Sequence, residues 1–256
     1  MAVFFYCILL HPEVQEKLHE EMDRVVGQDR LPTFDDHVNL RYLDAVRKEG
    51  TRWQPLGPIG KTLIVTLSLG TDATAALGIP HKCKNEDTYK GYVFPANTVF
   101  IIHLWSVLHY CRKRDGLSSP PHRYVYKDPR IWDHPEQYDP DRFLPEKNPK
   151  AASLPDPWET NFGFGRRRCP GQHLAHAVTM QYCAMILWAF NLRVPDGEPM
   201  PHPSTTVWRD AIVRWVVVLV GWKKGSLMIA PFRSPEYRLK FEPRSKRHLQ
   251  MLLAAL

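Results

Sequence analysis

A ten-residue segment, FGFGRRRCPG at residues 162–171, constrains this chain more than any other feature of its sequence. A single cysteine, Cys169, follows three arginines there and precedes a proline, a glycine and a predicted helix. Arginine side chains and the amide groups at the start of a helix both stabilise a thiolate. Glycines let the backbone pass close to a flat ligand. The segment therefore predicts a loop that presents a thiolate for chemistry or for binding a metal ion.

Four kinds of cysteine site are candidates for this loop. A nucleophilic cysteine of the phosphatase type needs an arginine six residues later, and that position is Ala175, which excludes it. A catalytic cysteine–histidine pair stays open, although the sequence does not specify the histidine. An ordinary structural cysteine in a basic loop is a third alternative. The fourth is a haem iron held by the thiolate, with a nearby arginine paired to a haem propionate.

The segment resembles the haem-binding signature of the cytochrome P450 family, F-x-x-G-x-R-x-C-x-G, at Phe162, Gly165, Arg167, Cys169 and Gly171. The resemblance implies that Cys169 is the axial thiolate ligand of haem b (iron protoporphyrin IX) and that Arg167 pairs with a propionate. It also implies that Phe162 packs near the sulfur and that the two glycines allow the turns of the loop. A thiolate ligand favours O–O cleavage on the iron.

Two E-x-x-R patterns place a carboxylate and a guanidinium on one face of a predicted helix. The pair Glu21–Arg24 lies on a highly charged helix and is predicted to be solvated at the surface. The pair Glu49–Arg52 resembles the E-x-x-R helix of the same family, and the segment PDRF around Arg142 resembles its P-x-R-F motif. The resemblance implies a structural triad in which two guanidinium forks share the Glu49 carboxylate.

Three histidines are candidates for contacting a cofactor or a metal ion. His81, in the segment GIPH, resembles the family residue that reaches a haem propionate, and a surface-facing histidine is the alternative. His173 and His176 share a helix face, but no third ligand lies near them in the sequence, so zinc is not expected. The arginines beside Cys169 suit docking of an acidic electron donor, with a solvated charged surface as the alternative.

Composition and short motifs exclude several classes of partner and site for this chain. The net charge of +7 comes without a run of five basic residues, and no zinc-finger, helix-turn-helix or RNA-binding signature is present, so no nucleic-acid partner is expected. The five cysteines form no C-x-x-C pair, which argues against a disulfide framework and a thiolate zinc site. No segment reaches the about 18 apolar residues of a membrane span, so no transmembrane anchor is predicted in this chain.

Local patterns predict a mainly α fold with small β-sheets (α+β). Apolar spacing and end signals predict helices over residues 2–10, 12–26 and 172–190, and a further helix beginning after Thr33, whose hydroxyl caps with Asp36. The alternating residues 88–104 predict a hairpin around the turn Pro95–Asn97.

The remaining segments predict irregular structure. Seven prolines among aromatic residues predict an ordered meandering loop over 127–157, because a flexible linker would lack the aromatics. Residues 191–256 are predicted to form short strands and loops with a basic end.

The resemblance extends from residue 1 to about 245 but covers only the C-terminal half of the family's fold. We therefore expect residues 1–256 to be one incomplete cytochrome P450 haem domain, the truncated C-terminal portion of that fold. Three stretches have no counterpart in the family pattern and are predicted to be insertions from unspliced intron sequence: 61–76, 110–123 and 207–224.

The resemblance implies a fungal-like haem-thiolate monooxygenase that inserts one oxygen atom from O2 into a small organic substrate. It further implies electrons from an NADPH-dependent reductase and, for the full-length parent, an endoplasmic reticulum membrane location. The alternative is a chain without turnover, either an inactive truncated fragment or a mis-spliced or pseudogene product.

Overall fold

The computed structural model describes residues 2–53, 81–100, 125–201, 218–223, 226–230 and 238–255. The chain divides into two compact units, and each is described here by itself. The first unit comprises residues 1–56, 136–207 and 213–256, and the second comprises residues 57–135 and 208–212. The predicted mainly α fold with small antiparallel sheets is confirmed over the described residues.

The helices of the described residues all belong to the first unit. In chain order they are α1 (Ala2–Leu10), α2 (Pro12–Val25), α3 (Arg41–Trp53), α4 (Pro157–Asn161), α5 (Gln172–Ala189) and α6 (Lys246–Ala254). Among the described helices, none is both long and apolar enough to cross a bilayer.

The predicted helix over 12–26 is confirmed as α2, and its ends follow from local chemistry. Pro12 occupies the first turn, where its fixed φ suits a helix and its missing N–H is not needed. Gly27 adopts a left-handed φ of +77°, and its N–H donates to the Met22 carbonyl at 3.1 Å. Val14, Leu18 and Met22 recur every four residues and are buried, so α2 has one apolar face.

The helix predicted to begin after Thr33 is confirmed at its start, but it is not one continuous α-helix. The capping box of Thr33 and Asp36 is present, but it caps a short 3-10 turn over Phe34–Val38. The α-helix begins only at Arg41, because its first amide groups are satisfied by a side chain from another helix, as shown below. The predicted helix over 172–190 is confirmed as α5.

One four-stranded antiparallel sheet completes the first unit, and its strands lie side by side in the order Phe190–Arg193, Leu239–Pro243, Ser226–Ala230 and Val218–Lys223. The aromatic ring of Phe241 in this sheet lies edge-on to Phe5 of α1, with ring centroids 6.4 Å apart. It also lies edge-on to Phe190 of the neighbouring strand, at 5.8 Å. The strands are β5 (Phe190–Arg193), β6 (Val218–Lys223), β7 (Ser226–Ala230) and β8 (Leu239–Pro243).

The short strands predicted beyond residue 190 are confirmed, but helix α6 was not predicted there. Ser245 caps it by accepting the His248 N–H, and the buried His248 ring packs on Trp188 with ring centroids 4.4 Å apart. Packing against a distant ring therefore stabilises a helix that is only nine residues long.

The second unit contains two small antiparallel ladders. Strand β1 (His81–Lys82) pairs with β4 (Val99–Phe100), and β2 (Asp87–Tyr89) pairs with β3 (Tyr92–Phe94). The predicted hairpin exists, but its turn is at Lys90 and Gly91 rather than at Pro95–Asn97. Both turn residues have positive φ, +50° and +82°, which matches the twist of a two-residue hairpin loop. The turn at Pro95–Asn97 instead joins β3 to β4.

The proline-rich loop is ordered over its described residues, as predicted. In the second unit Trp132 is fully buried and donates its indole N–H to the Val125 carbonyl at 2.6 Å. In the first unit the loop contains 3-10 turns at Pro140–Phe143 and Ala151–Ser153. The predicted insertions at 61–76 and 110–123 lie outside the described residues, and of 207–224 only the backbone of β6 lies within them.

Candidate functional site

Cys169 lies on the loop between α4 and α5, three residues before α5 begins. The loop closes on itself through the backbone: the Cys169 N–H donates to the Phe162 carbonyl at 2.8 Å, and the Arg168 N–H donates to the Gly165 carbonyl at 3.2 Å. The Cys169 thiol is free and exposed. The fold therefore presents this sulfur to a ligand rather than burying it in a core.

Glycines shape the loop in two different ways. Gly163 and Gly165 have left-handed φ values of +81° and +59°, which L side chains rarely adopt. Gly171 has an ordinary φ of −76°, so it is not needed for a turn. A Cβ at that position would lie 3.7 Å from the Cys169 sulfur, so Gly171 leaves room beside the thiol. Gly163 was not singled out in the sequence, although it too has the left-handed backbone.

Three consecutive arginines precede Cys169 on its loop. Arg166 and Arg167 stand on the 3-10 turn Gly165–Arg167, and their side chains are exposed. Arg168 forms an ion pair with Glu159 of α4, with Nη2 and Oε2 3.2 Å apart. Basic side chains and the first turn of α5 therefore flank Cys169 along the chain.

The second group of predicted residues meets in the interior of the first unit. Glu49 and Arg52 are both fully buried on α3, and Arg142 is 5% exposed on the 3-10 turn Pro140–Phe143. Arg52 donates to both carboxylate oxygens of Glu49, from Nε at 2.7 Å and from Nη2 at 2.8 Å. Arg142 donates to the same carboxylate from Nε at 3.1 Å. The structure thus brings the three side chains of the expected triad together.

The ion pairs also hold the proline-rich loop against α3. The Asp139 N–H donates to the Glu49 carboxylate at 2.9 Å, and both arginines donate to the Gln137 carbonyl. The indole N–H of Trp53 donates to the Glu136 carbonyl at 3.0 Å. These bonds attach the mostly exposed, irregular segment 136–139 to α3 through its backbone groups.

Glu21 is a buried residue that the sequence assigned to the surface. Only 5% of it is exposed, and its carboxylate accepts the backbone N–H groups of Tyr42 at 2.8 Å and Leu43 at 2.9 Å. Burial raises the pKa of Glu21, against the lowering effect of those two bonds. The prediction that Glu21 forms a solvated surface pair with Arg24 is therefore wrong, because Glu21 is buried. Its carboxylate, on α2, instead caps the first turn of α3. The sequence offers one sign of this burial: Glu21 directly precedes Met22, which is buried in α2.

His176 contacts an ion cluster, while His173 is exposed. The His176 Nε2 lies 3.6 Å from the Asp44 carboxylate, which also accepts from Arg47 at 3.0 Å and pairs with Lys48 at 3.0 Å. Burial opposes ionisation of Asp44, but these three partners hold its pKa well below the usual range. Within the described ranges, no three histidine, cysteine or acidic side chains are grouped to hold a metal ion.

His81 begins strand β1 of the second unit, opposite Phe100, and its side chain is exposed. The other predicted residues lie in the first unit, five on the Cys169 loop and three in the buried triad.

The geometry of the loop fits a flat ligand bound through sulfur. Cys169 is exposed, a glycine leaves space next to its Sγ, and the exposed Phe164 and Leu174 offer apolar surface near the thiol in sequence. Cationic side chains on the same loop suit the carboxylates of such a ligand. A haem with one thiolate ligand and two propionates has these properties.

Known proteins of one family resemble this chain over most of its length. The profile of the family described as Cytochrome P450 matches residues 1–66 and 119–214, together more than half of the chain. The chain is 35% identical over 192 residues to cytochrome P450 monooxygenase claR of Ampulloclitocybe clavipes, covering 75% of this chain. It is 30% identical over 252 residues to cytochrome P450 monooxygenase verL of Clonostachys rogersoniana, covering 95% of this chain.

The chain spans 29% of the length of the first of these relatives and 36% of the second. Among solved structures, a zebrafish cytochrome P450 determined with progesterone superposes with a TM-score of 0.61. That match covers 94% of this chain and 41% of the zebrafish chain at 24% sequence identity, and it shows the fold.

Proposed function

This chain belongs to the cytochrome P450 family, and from that premise we propose that it carries the haem-thiolate site of a monooxygenase. The reaction is insertion of one oxygen atom from O2 into a small organic substrate. The observation that supports this most directly is the exposed Cys169 thiol, held on a closed loop with room beside its sulfur.

In this proposal the chain's own residues bind and orient the cofactor. Cys169 would ligate the iron as a thiolate, and Arg167 would pair with a propionate. The propionate role that the sequence suggests for His81, on the second unit, stays a prediction. The ring of Phe162 packs near the sulfur, and Gly165 and Gly171 give the loop its path and its space. When bound, haem b supplies the iron at which dioxygen is activated.

The triad has a structural role in this proposal. Glu49, Arg52 and Arg142 hold α3 and the proline-rich loop together through buried ion pairs. None of them is exposed enough to meet a substrate. Their contribution is the stability of the fold on which the Cys169 loop is built.

Electron delivery is proposed to use the charged surface around the thiol. Arg166 and Arg167 are exposed on the loop that carries Cys169, and Arg168 is partly exposed in its ion pair with Glu159. Such a basic surface attracts an acidic partner and speeds its association at low salt. The partner we propose is an NADPH-dependent reductase, and the proposed location of the whole protein is the endoplasmic reticulum membrane.

A second candidate is a chain that binds haem weakly or not at all and has no turnover. Phe164 is 67% exposed and Leu174 is 70% exposed, although bound cofactors are normally enclosed by the protein on most of their surface. Exposed apolar side chains of this kind also favour aggregation. This candidate covers both an inactive truncated fragment and a mis-spliced or pseudogene product.

Reconstitution with haem separates the two candidates. The purified chain is incubated with haemin and reduced, and its difference spectrum with carbon monoxide is recorded. We expect the red-shifted band of a thiolate-ligated iron, lost in Cys169→Ser and kept in the matched control Cys83→Ser, which removes a partly exposed free thiol of the second unit. Absence of the band in the unmodified chain, or its persistence in Cys169→Ser, overturns the proposed site.

A further inference from the structure

We propose that Trp158 is a positioning residue for Cys169, and that it links the cysteine loop to the ion-pair helix α3 through Arg47. The proposal rests on the function proposed above only in treating Cys169 as the iron ligand. The link itself is a property of the protein and is argued from its contacts.

The first contact fixes the guanidinium of Arg47. This side chain is 4% exposed, and its Nε donates to Asp44 at 3.0 Å on the same face of α3. Asp44 in turn pairs with Lys48, with Nζ and Oδ2 3.0 Å apart. The plane of the guanidinium is therefore set by α3, two residues before the triad carboxylate of Glu49.

The second contact is a cation–π stack between two helices. The central carbon of the Arg47 guanidinium lies 4.3 Å from the centroid of the Trp158 ring, and Trp158 is 8% exposed on α4. A planar guanidinium over an indole is favoured by both electrostatics and stacking. Asp156 holds the start of α4 by accepting the Trp158 N–H at 2.8 Å and pairing with Lys48 at 3.4 Å.

The third contact joins Trp158 to the loop that carries Cys169. The ring centroids of Trp158 and Phe162 are 5.1 Å apart, in van der Waals range for tilted rings. The carbonyl of Phe162 accepts the N–H of Cys169 at 2.8 Å. A path of direct contacts thus runs from Arg47 through Trp158 and Phe162 to the backbone of Cys169.

Helix α5 is attached to the same cluster. The ring of His176 lies edge-on to Trp158 with centroids 6.1 Å apart, and its Nε2 lies 3.6 Å from Asp44. Because α5 begins three residues after Cys169, Trp158 contacts the elements on both sides of the thiol.

The ring of Trp158, rather than its N–H group, carries the link. Among the described residues, the buried Trp158 Nε1 and Arg47 Nη1 have no hydrogen-bond partner. Phenylalanine keeps an aromatic face for Arg47 and Phe162 and removes the unpaired N–H. Trp158→Phe is therefore the conservative variant that should retain the position of the loop, whereas Trp158→Leu should not.

Hydrogen exchange of the full chain without haem tests the link, because the Cys169 amide reports whether the loop is closed. In Trp158→Leu we expect its exchange to become about tenfold faster, since local opening becomes easier. In Trp158→Phe the exchange rate of the Cys169 amide should stay within about twofold of the rate in the unmodified chain. The control Trp188→Leu removes a fully buried indole from the other end of α5 and should lower the unfolding midpoint without changing the exchange of the Cys169 amide.

A second variant keeps the test decisive if Trp158→Leu does not fold. Arg47→Met removes the cationic plane and leaves the indole, and it should also speed exchange of the Cys169 amide, by about threefold. Unchanged exchange in both variants overturns the proposal, as does an equal acceleration in Trp188→Leu.

With haem bound, the carbon-monoxide spectrum gives an independent readout. Well below the unfolding temperature, Trp158→Leu should convert part of the thiolate-type band to the shorter-wavelength band of an iron without a thiolate ligand, and Trp158→Phe should not. If the unmodified chain binds no haem, the proposed function fails while the exchange measurement still decides the role of Trp158.

Discussion

The carboxylate of Glu49 and the guanidinium of Arg142 are 93 residues apart in the chain and meet at 3.1 Å in the interior of the first unit. Arg52, from the same helix as Glu49, donates to that carboxylate as well. One negative charge therefore balances two buried positive charges. Breaking a buried ion pair from one side leaves an uncompensated charge, and this costs more than the pair itself contributes.

Glu49→Ala is expected to destabilise the fold strongly. It removes the carboxylate to which both Arg52 and Arg142 donate, and it leaves the Asp139 N–H without its acceptor. We expect a loss of about 3–5 kcal/mol in the free energy of unfolding, measured by urea denaturation. The matched control Glu16→Ala removes an exposed glutamate of α2 and should change that free energy by less than about 0.5 kcal/mol. Equal effects of the two variants would contradict the buried triad.

Glu21→Ala is expected to weaken the start of α3. The variant removes the acceptor for two buried amide groups, those of Tyr42 and Leu43. Leaving a buried donor unpaired costs about 1–3 kcal/mol, so for two such groups we expect a loss of about 2–6 kcal/mol in thermal or urea unfolding. The neighbouring exposed Glu20 provides the control, since Glu20→Ala should be nearly neutral. A neutral Glu21→Ala would show that water satisfies these amides.

Gly165→Ala should lower stability, whereas Gly171→Ala should leave it nearly unchanged. At Gly165 the φ of +59° strains any other residue, and we expect a loss of about 1–3 kcal/mol in the free energy of unfolding. At Gly171 the φ of −76° suits alanine, and the added methyl group meets the Cys169 sulfur at an ordinary contact distance of 3.7 Å. Its unfolding should be nearly unchanged. Denaturant titration of both variants checks the two predictions. Equal losses of unfolding free energy in the two variants would refute them.

His19 is expected to make stability depend on pH in the mildly acidic range. Burial and the nearby charge of Arg244 lower the pKa of His19 from 6.5 to about 4. The unfolded chain then binds a proton that the folded chain does not, so stability is lost as the pH falls from 6.5 towards 4. His19→Gln should flatten this part of the curve of unfolding free energy against pH.

The exposed His173 supplies the control for that measurement, because His173→Gln should keep the pH dependence of the unmodified chain. An unchanged slope in His19→Gln would mean that another group titrates over this range.

Local signals predicted part of the fold well. The ends of α2 follow from Pro12 and Gly27, and α5 follows from its spacing of apolar residues after Gly171. The break between the 3-10 turn and α3 was not predicted, because the first amides of α3 are capped by Glu21, which lies 21 residues before Tyr42. The hairpin turn was misplaced because Lys90 and Gly91 carry the positive φ values.

The loop around Cys169 and the motif residues of the triad are predictable from the amino-acid sequence, because each signature lies within a few consecutive residues whose spacing is directly visible. The folded structure was needed to show which carboxylate holds the start of α3 and which ring lies between Arg47 and Phe162. Those roles depend on contacts between segments that are distant along the chain. Burial and stacking arise when such segments pack together, and no local spacing of residues records them.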